Sequence, residues 1–241
     1  GGAMPRATLD ALVNSLPNTR PYLMYGLTEA FRSTYLPPEQ IEQRPTSIGK
    51  AIPNVEIAVV REDGSPCAPG ETGELVHCGP LVSLGYWNNP ARTTERFKPV
   101  PRQNSDNPST ELAVWSGDFV TTDEEGFIYF ISRKDEMIKT SGYRVSPTEI
   151  EDIIYQSGCV GEVACIGVPH PELGQAIVAV TTEHLAGSLD IDFIHSHCRR
   201  LLPAYMVPHR YLRYTHLPLN PNGKIDRQQL AVDLRDCLKQ G

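Results

Sequence analysis

Apolar and polar positions along the chain fall into two regimes. From Ser47 to Thr122, short apolar stretches such as Val55–Val60 and Glu74–Cys78 alternate with turn signals at Asp63-Gly64, Pro69-Gly70 and Thr72-Gly73, which predicts short strands. Ahead of them, Leu9, Leu12 and Val13 repeat at helical spacing and predict a helix between Met4 and Ser15. Pro21-Tyr22-Leu23-Met24-Tyr25 predicts a short buried strand. It leads into Gly26-Leu27-Thr28-Glu29-Ala30, a turn whose hydroxyl and carboxylate either contact a ligand or cap a following helix. Ala113-Val114-Trp115 predicts a strand ending in Ser116-Gly117-Asp118, a second turn bearing a carboxylate. Asp123-Glu124-Glu125-Gly126 predicts a hairpin into Phe127–Ile131, and the polar, Pro/Asn/Ser-rich residues 99–110 predict a surface loop.

The charged run Ser132-Arg133-Lys134-Asp135-Glu136 ends the strand-rich regime, and helix then alternates with strand. Ser146 as N-cap, Pro147 at the first helical position and Glu149 two residues on predict a capped helix with Ile150, Ile153 and Ile154 on its apolar face. Glu162–Val168 and Ala176–Thr182 predict strands joined at His170–Gly174. Ile194, Cys198, Leu201 and Leu202 predict one helical face, stopped by Pro203. Leu219–Ile225 predicts a rigid turn presenting Lys224, after which Asp226 caps a helix facing inward through Leu230, Leu234, Cys237 and Leu238. The fold class expected is α/β: a β-rich, barrel-like subdomain in residues 1–132, then a small α+β domain in residues 133–241.

Composition narrows the function classes. With 40% hydrophobic and 21% charged residues the chain is of globular type, and no apolar run is long enough to span a bilayer. A formal charge of −7 without a Lys/Arg cluster argues against nucleic acid. Six cysteines without short paired spacing suit reduced thiols and a cytoplasmic setting. His195 and His197 are two apart, so a helix points them in different directions and they do not share a metal. The start at Gly1-Gly2-Ala3 reads as a tag remnant or the interior of a longer protein.

Thr28-Glu29, Asp118, Arg133 and Lys224 together supply the hydroxyl, carboxylate, guanidinium and ammonium groups that a nucleotide needs, each expected on a turn beside a strand. Tyr25-Gly26-Leu27-Thr28-Glu29, Gly73-Glu74-Leu75, Gly85-Tyr86-Trp87, Trp115-Ser116-Gly117-Asp118, Gly1-Gly2-Ala3 and Pro218-Leu219-Asn220-Pro221-Asn222-Gly223-Lys224 follow in an order that resembles the AMP-forming acyl-CoA synthetases of the adenylate-forming superfamily. The resemblance covers nearly the whole chain and implies ATP, Mg²⁺ and CoA as cofactors and a carboxylic acid as substrate. It implies that Gly2 and Ala3 belong to a loop against adenine. Tyr25 and Gly26 would lie at the nucleotide, Thr28 on the AMP phosphate and Glu29 on Mg²⁺. Asp118 would take both ribose hydroxyls with Arg133 beside it, Asp135 would be a hinge, and Lys224 would act in adenylation. Gly142 would line the path of the pantetheine arm. The run Tyr25–Tyr35 is most similar to a bacterial subgroup linked to exopolysaccharide export.

Leu27 stands where many members carry Pro or Met, and Ser132 where Gly usually precedes the arginine; neither change removes a ligand. The family's Ser/Thr/Gly-rich phosphate loop has no counterpart here, so the resemblance implies the C-terminal part of a longer enzyme, inactive alone and partnered by its own N-terminal part. Two other readings share these motifs: an enzyme that loads an acid onto a carrier protein, and a stand-alone non-catalytic module.

Overall fold

The computed structural model describes residues 4, 6–100, 111–183 and 190–238, and its helices and strands group into two compact units, residues 11–134 and residues 1–10 with 135–241. The loop expected at residues 99–110 lies, beyond Val100, outside the described residues. A helix α1 (Arg6–Ser15) opens the chain.

Residues 11–134 carry an eight-stranded sheet and one short helix. Its elements are β1 (Leu23–Tyr25), β2 (Thr34–Leu36), β3 (Ser47–Ala51), β4 (Glu56–Val60), β5 (Gly73–Cys78), α2 (Pro90–Arg96), β6 (Phe97–Pro99), β7 (Leu112–Thr122) and β8 (Ile128–Arg133). The strands run in the order β1-β2-β3-β8-β7-β5-β4, with β6 beside β7. Leu75, Val120 and Ile128 bury one face of this sheet, while Val60, Val76, Cys78 and Ala113 form a second cluster. β1 departs from expectation, because Tyr22 and Met24 are 54% and 48% exposed. Among the described strands β1 pairs with β2 alone and ends the path, so its alternate side chains lack a covering layer. No helix follows Ala30 either: the chain passes through Arg32, at φ 51°, into β2, which removes the capping alternative for Thr28 and Glu29. Asp118 was expected on a turn but lies inside the eleven-residue strand β7. Gly117, at φ 72°, absorbs a local irregularity there, and the β5–β7 register shifts between Glu74 and Val76, so the glycine marks a bulge within one strand and not its end.

The second unit contains β9 (Ile138–Thr140), β10 (Tyr143–Val145), α3 (Pro147–Gln156), β11 (Val160–His170), β12 (Gly174–Glu183), α4 (Ile191–Leu201), β13 (Arg210–Tyr214) and α5 (Arg227–Asp233). β11 and β12 form a long hairpin, β9 and β13 flank β12, and β12–β13 is the parallel pair. Helices cover both faces. Val163, Cys165, Ile177 and Ala179 meet Ile150 and Ile154 of α3 and Ile194 and Cys198 of α4, whereas the alternate residues Ala164, Ile166, Val178 and Val180 meet Leu230 of α5 and Leu234 just beyond it. Burial on both sides explains why β11 and β12 read as nearly unbroken apolar runs. Leu201 is 47% exposed: Ile194, Cys198 and Leu202 follow the inward i, i+4, i+8 line and Leu201 falls on its flank.

Candidate nucleotide and catalytic-lysine sites

Within residues 11–134 the sheet brings Tyr25, Asp118 and Arg133 together. Asp118 and Arg133 are cross-strand partners on β7 and β8, and Arg133 Nη1 donates to Asp118 Oδ1 at 2.8 Å. The other carboxylate oxygen accepts the Tyr25 hydroxyl from the end of β1. Asp118 is only 5% exposed, so these two donors orient a carboxylate that would otherwise be costly to bury. Its backbone is fixed as well: Asp118 N donates to Ser116 Oγ at 3.0 Å, Ser116 Oγ to Leu75 O at 2.6 Å, and Gly117 N to Glu74 Oε1 at 3.0 Å. Burial, and then the negative Asp118, push the Tyr25 phenol well above its ordinary pKa, so it stays a donor.

Thr28 and Glu29 sit on the loop that follows β1, closed by reciprocal backbone bonds between Leu27 and Ala30. Gly26 is required there, because a Cβ would collide with the backbone nitrogen of Arg32. Thr28 is exposed, and the Glu29 carboxylate accepts the Tyr86 hydroxyl. Tyr86 is set in turn by Tyr86 N donating to Thr93 Oγ1 at 2.9 Å and by an edge contact with Phe97 at 5.7 Å. Behind Tyr25 lies His77, fully buried on β5 and stacked on the tyrosine ring at 5.9 Å. Burial drives His77 down to about 4, against a smaller upward pull from Glu29. Gly2 and Ala3 lie outside the described residues.

In the second unit Lys224 stands exposed on the turn between Leu219 and Ile225, which bridge each other. Asn220 Oδ1 accepts from Asn222 N at 3.0 Å and Lys224 N at 3.1 Å, and Gly223 takes φ 72°. Asp226 then caps α5 by accepting from Gln229 N at 2.9 Å. Gly142, at φ 82°, and Ser141, at φ 51°, form the two-residue turn between β9 and β10, and a Cβ on Gly142 would meet nothing within 4 Å. Asp135 lies in the short turn between β8 and β9.

Three participants carry no signal of their own in the sequence: Tyr86 and Glu74, which occur only inside motifs, and His77. Tyr86 and Glu29 are 57 residues apart, a separation that no local pattern reveals.

One family model, described as AMP-binding enzyme, matches residues 1–87, and another, AMP-binding enzyme C-terminal domain, matches residues 149–224. A long-chain-fatty-acid–CoA ligase of Salmonella typhimurium is 36% identical over 98% of this chain and 40% of its own. The chain therefore spans about two fifths of the length of the curated relatives it matches. Bacillus subtilis o-succinylbenzoate CoA synthetase, solved with an acyl-adenylate intermediate, superposes with a TM-score of 0.83 at 26% identity, over 95% of this chain and 44% of its own. ATP-bound MatB of Rhodopseudomonas palustris gives 0.77 at 28%, over 90% and 41%. The two models follow in chain order on either side of the β7–β8 site, and sequence and backbone likeness extend through the residues between them: the chain belongs to the AMP-binding enzymes of the adenylate-forming superfamily.

Proposed function

We propose that this chain is the C-terminal portion of an AMP-forming acyl-CoA ligase, which activates a carboxylic acid as its adenylate and then transfers the acyl group to CoA. The observation that carries the reading is the Asp118 carboxylate held between Tyr25 and Arg133, on the same sheet as the loop bearing Thr28 and Glu29. A buried, doubly oriented carboxylate suits a ribose diol, and Arg133 offers further donors beside it. Thr28 suits a phosphate oxygen, being an exposed hydroxyl on a loop that a glycine closes.

Among the described residues no three acidic, His or Cys side chains gather to hold a metal by themselves. Glu29 fits Mg²⁺ that arrives on a triphosphate, since that ion is commonly bound by one or two carboxylates together with phosphate oxygens and water. When bound, it would neutralise charge on the departing pyrophosphate. In adenylation a carboxylate oxygen of the acid bonds to the α-phosphorus and the bond to pyrophosphate breaks. The Lys224 ammonium would meet the negative charge that develops there. In the second step the CoA sulfur bonds to the acyl carbon and AMP leaves, a step needing a thiol path, and the open Gly142 turn suits a narrow pantetheine arm. Rotation about Asp135 would exchange Lys224 for Gly142 between the two steps. The names of the curated relatives favour a long-chain fatty acid as the acid.

In the complete enzyme, Lys224→Ala should abolish pyrophosphate exchange while supplied acyl-adenylate is still converted to thioester. Equal loss of both halves would count against the assignment. Mass spectrometry with free CoA against a holo-carrier protein distinguishes CoA ligation from carrier loading.

A further inference from the structure

Among the described residues nothing holds the Lys224 ammonium, so whatever aims it acts through the backbone of its turn. That turn runs directly into α5, whose first residue is Arg227. The Arg227 guanidinium forks onto both oxygens of Glu151 in α3, at 2.6 and 2.8 Å, and donates to Cys165 O of β11 at 3.1 Å. Its Nε lies 3.3 Å from Glu136 Oε2. Glu151 also accepts from Cys165 N at 2.6 Å, so the carboxylate is seated on β11 before the arginine reaches it. The Arg227 and Glu151 side chains are 20% and 8% exposed, which places the fork where charge pairing is weakly screened. Glu136 directly follows Asp135, the proposed pivot.

We infer that Arg227 is a positioning residue for Lys224: it ties the lysine turn to α3, to β11 and to the segment after Asp135, so that a rotation beginning at Asp135 carries the ammonium with a stiff body. The inference rests on the adenylation role proposed for Lys224. Only arginine supplies this contact set. Its planar fork serves Glu151 with two donors while a third nitrogen faces Glu136, whereas a lysine ammonium at the same place is a point donor on a flexible stem. Loosening the turn would leave the groups that bind ATP in place and reduce how often Lys224 stands at the reacting phosphorus. Its signature is therefore a fall in kcat and not a rise in KM.

The test uses Arg227→Lys and Glu136→Gln in the complete enzyme, with Lys224→Ala as reference. Arg227→Lys should lower the kcat of pyrophosphate exchange by at least about tenfold, with KM for ATP and thioester formation from supplied acyl-adenylate each within about threefold. Hydrogen exchange should quicken at the backbone amides of Leu219, Asn220 and residues 222–226 and stay unchanged across β11 and β12. Glu136→Gln, which leaves the Glu151 fork intact and takes the charge out of the tie to the pivot segment, should lower exchange kcat by a smaller factor in the same half-reaction. Unchanged exchange at those amides, or equal loss of both half-reactions in Arg227→Lys, overturns the inference. Lys224→Ala that keeps full pyrophosphate exchange would instead overturn the role of Lys224, and the amide exchange would still decide whether Arg227 orders the turn.

Discussion

His77 shows what one buried side chain does to the pH response. Neither ring nitrogen has a hydrogen-bond partner among the described residues, and burial lowers its pKa to about 4. The folded chain therefore keeps the ring neutral where an unfolded chain, with an ordinary value near 6.5, takes up a proton. The stability tied to this neutral ring is complete above about 6.5 and is lost as pH falls from there towards 4, to the extent of about 3 kcal/mol. Chemical denaturation of the parent and of His77→Leu between pH 7 and pH 4 checks this. The variant should lose less stability over that window, and parallel curves would rule out His77 as the source. Nothing in the sequence marks His77, because a histidine between Val76 and Cys78 in a strand pattern looks the same paired or unpaired. Asp118 was legible as a functional carboxylate through its motif, yet its setting was not. The bulge at Gly117 depends on Glu74 of a neighbouring strand, 43 residues away.

At the scale of elements, what could be read was what is local. Ser146, Pro147 and Glu149 lie within one turn, and the structure places Ser146 Oγ as acceptor for Glu149 N at the start of α3. Ser146→Ala should cost about 1 kcal/mol of stability by thermal or urea unfolding. The bond that fastens α3 to α5 spans 76 residues and left no trace in any periodic pattern. Glu151→Ala should cost about 3 kcal/mol, because it removes the fork and leaves a largely buried guanidinium with only Glu136 and the Cys165 carbonyl as partners. Joining Glu151→Leu to Arg227→Met should recover part of that loss by removing both charges. It would leave the Cys165 N–H without its carboxylate, so a deficit of about 1–3 kcal/mol should remain. A double variant no more stable than Glu151→Ala would show that packing, and not the stranded charge, sets the cost.

For the whole molecule, the decisive position is the turn between β8 and β9. Lys134 N donates to Gly117 O at 2.7 Å, so the chain is still fastened to β7 one residue before Asp135. Backbone freedom needed for a rotation would begin at Asp135, and proline there fixes φ and removes the N–H. In the complete enzyme Asp135→Pro should slow thioester formation from acyl-adenylate at least about tenfold relative to pyrophosphate exchange. An unchanged ratio of the two rates would exclude Asp135 as the pivot. The division of the chain also governs how its unfolding can be watched. Both tryptophans, Trp87 and Trp115, belong to residues 11–134, and Trp87 is 99% exposed whereas Trp115 is partly buried. Tryptophan emission thus reports on that unit alone and chiefly through Trp115, while the ten tyrosines, Tyr143 and its stacked partner Tyr205 among them, supply an ultraviolet signal shared by both units. A melting step seen in the tyrosine signal with no counterpart in tryptophan emission then belongs to the lysine-bearing unit, without any added label.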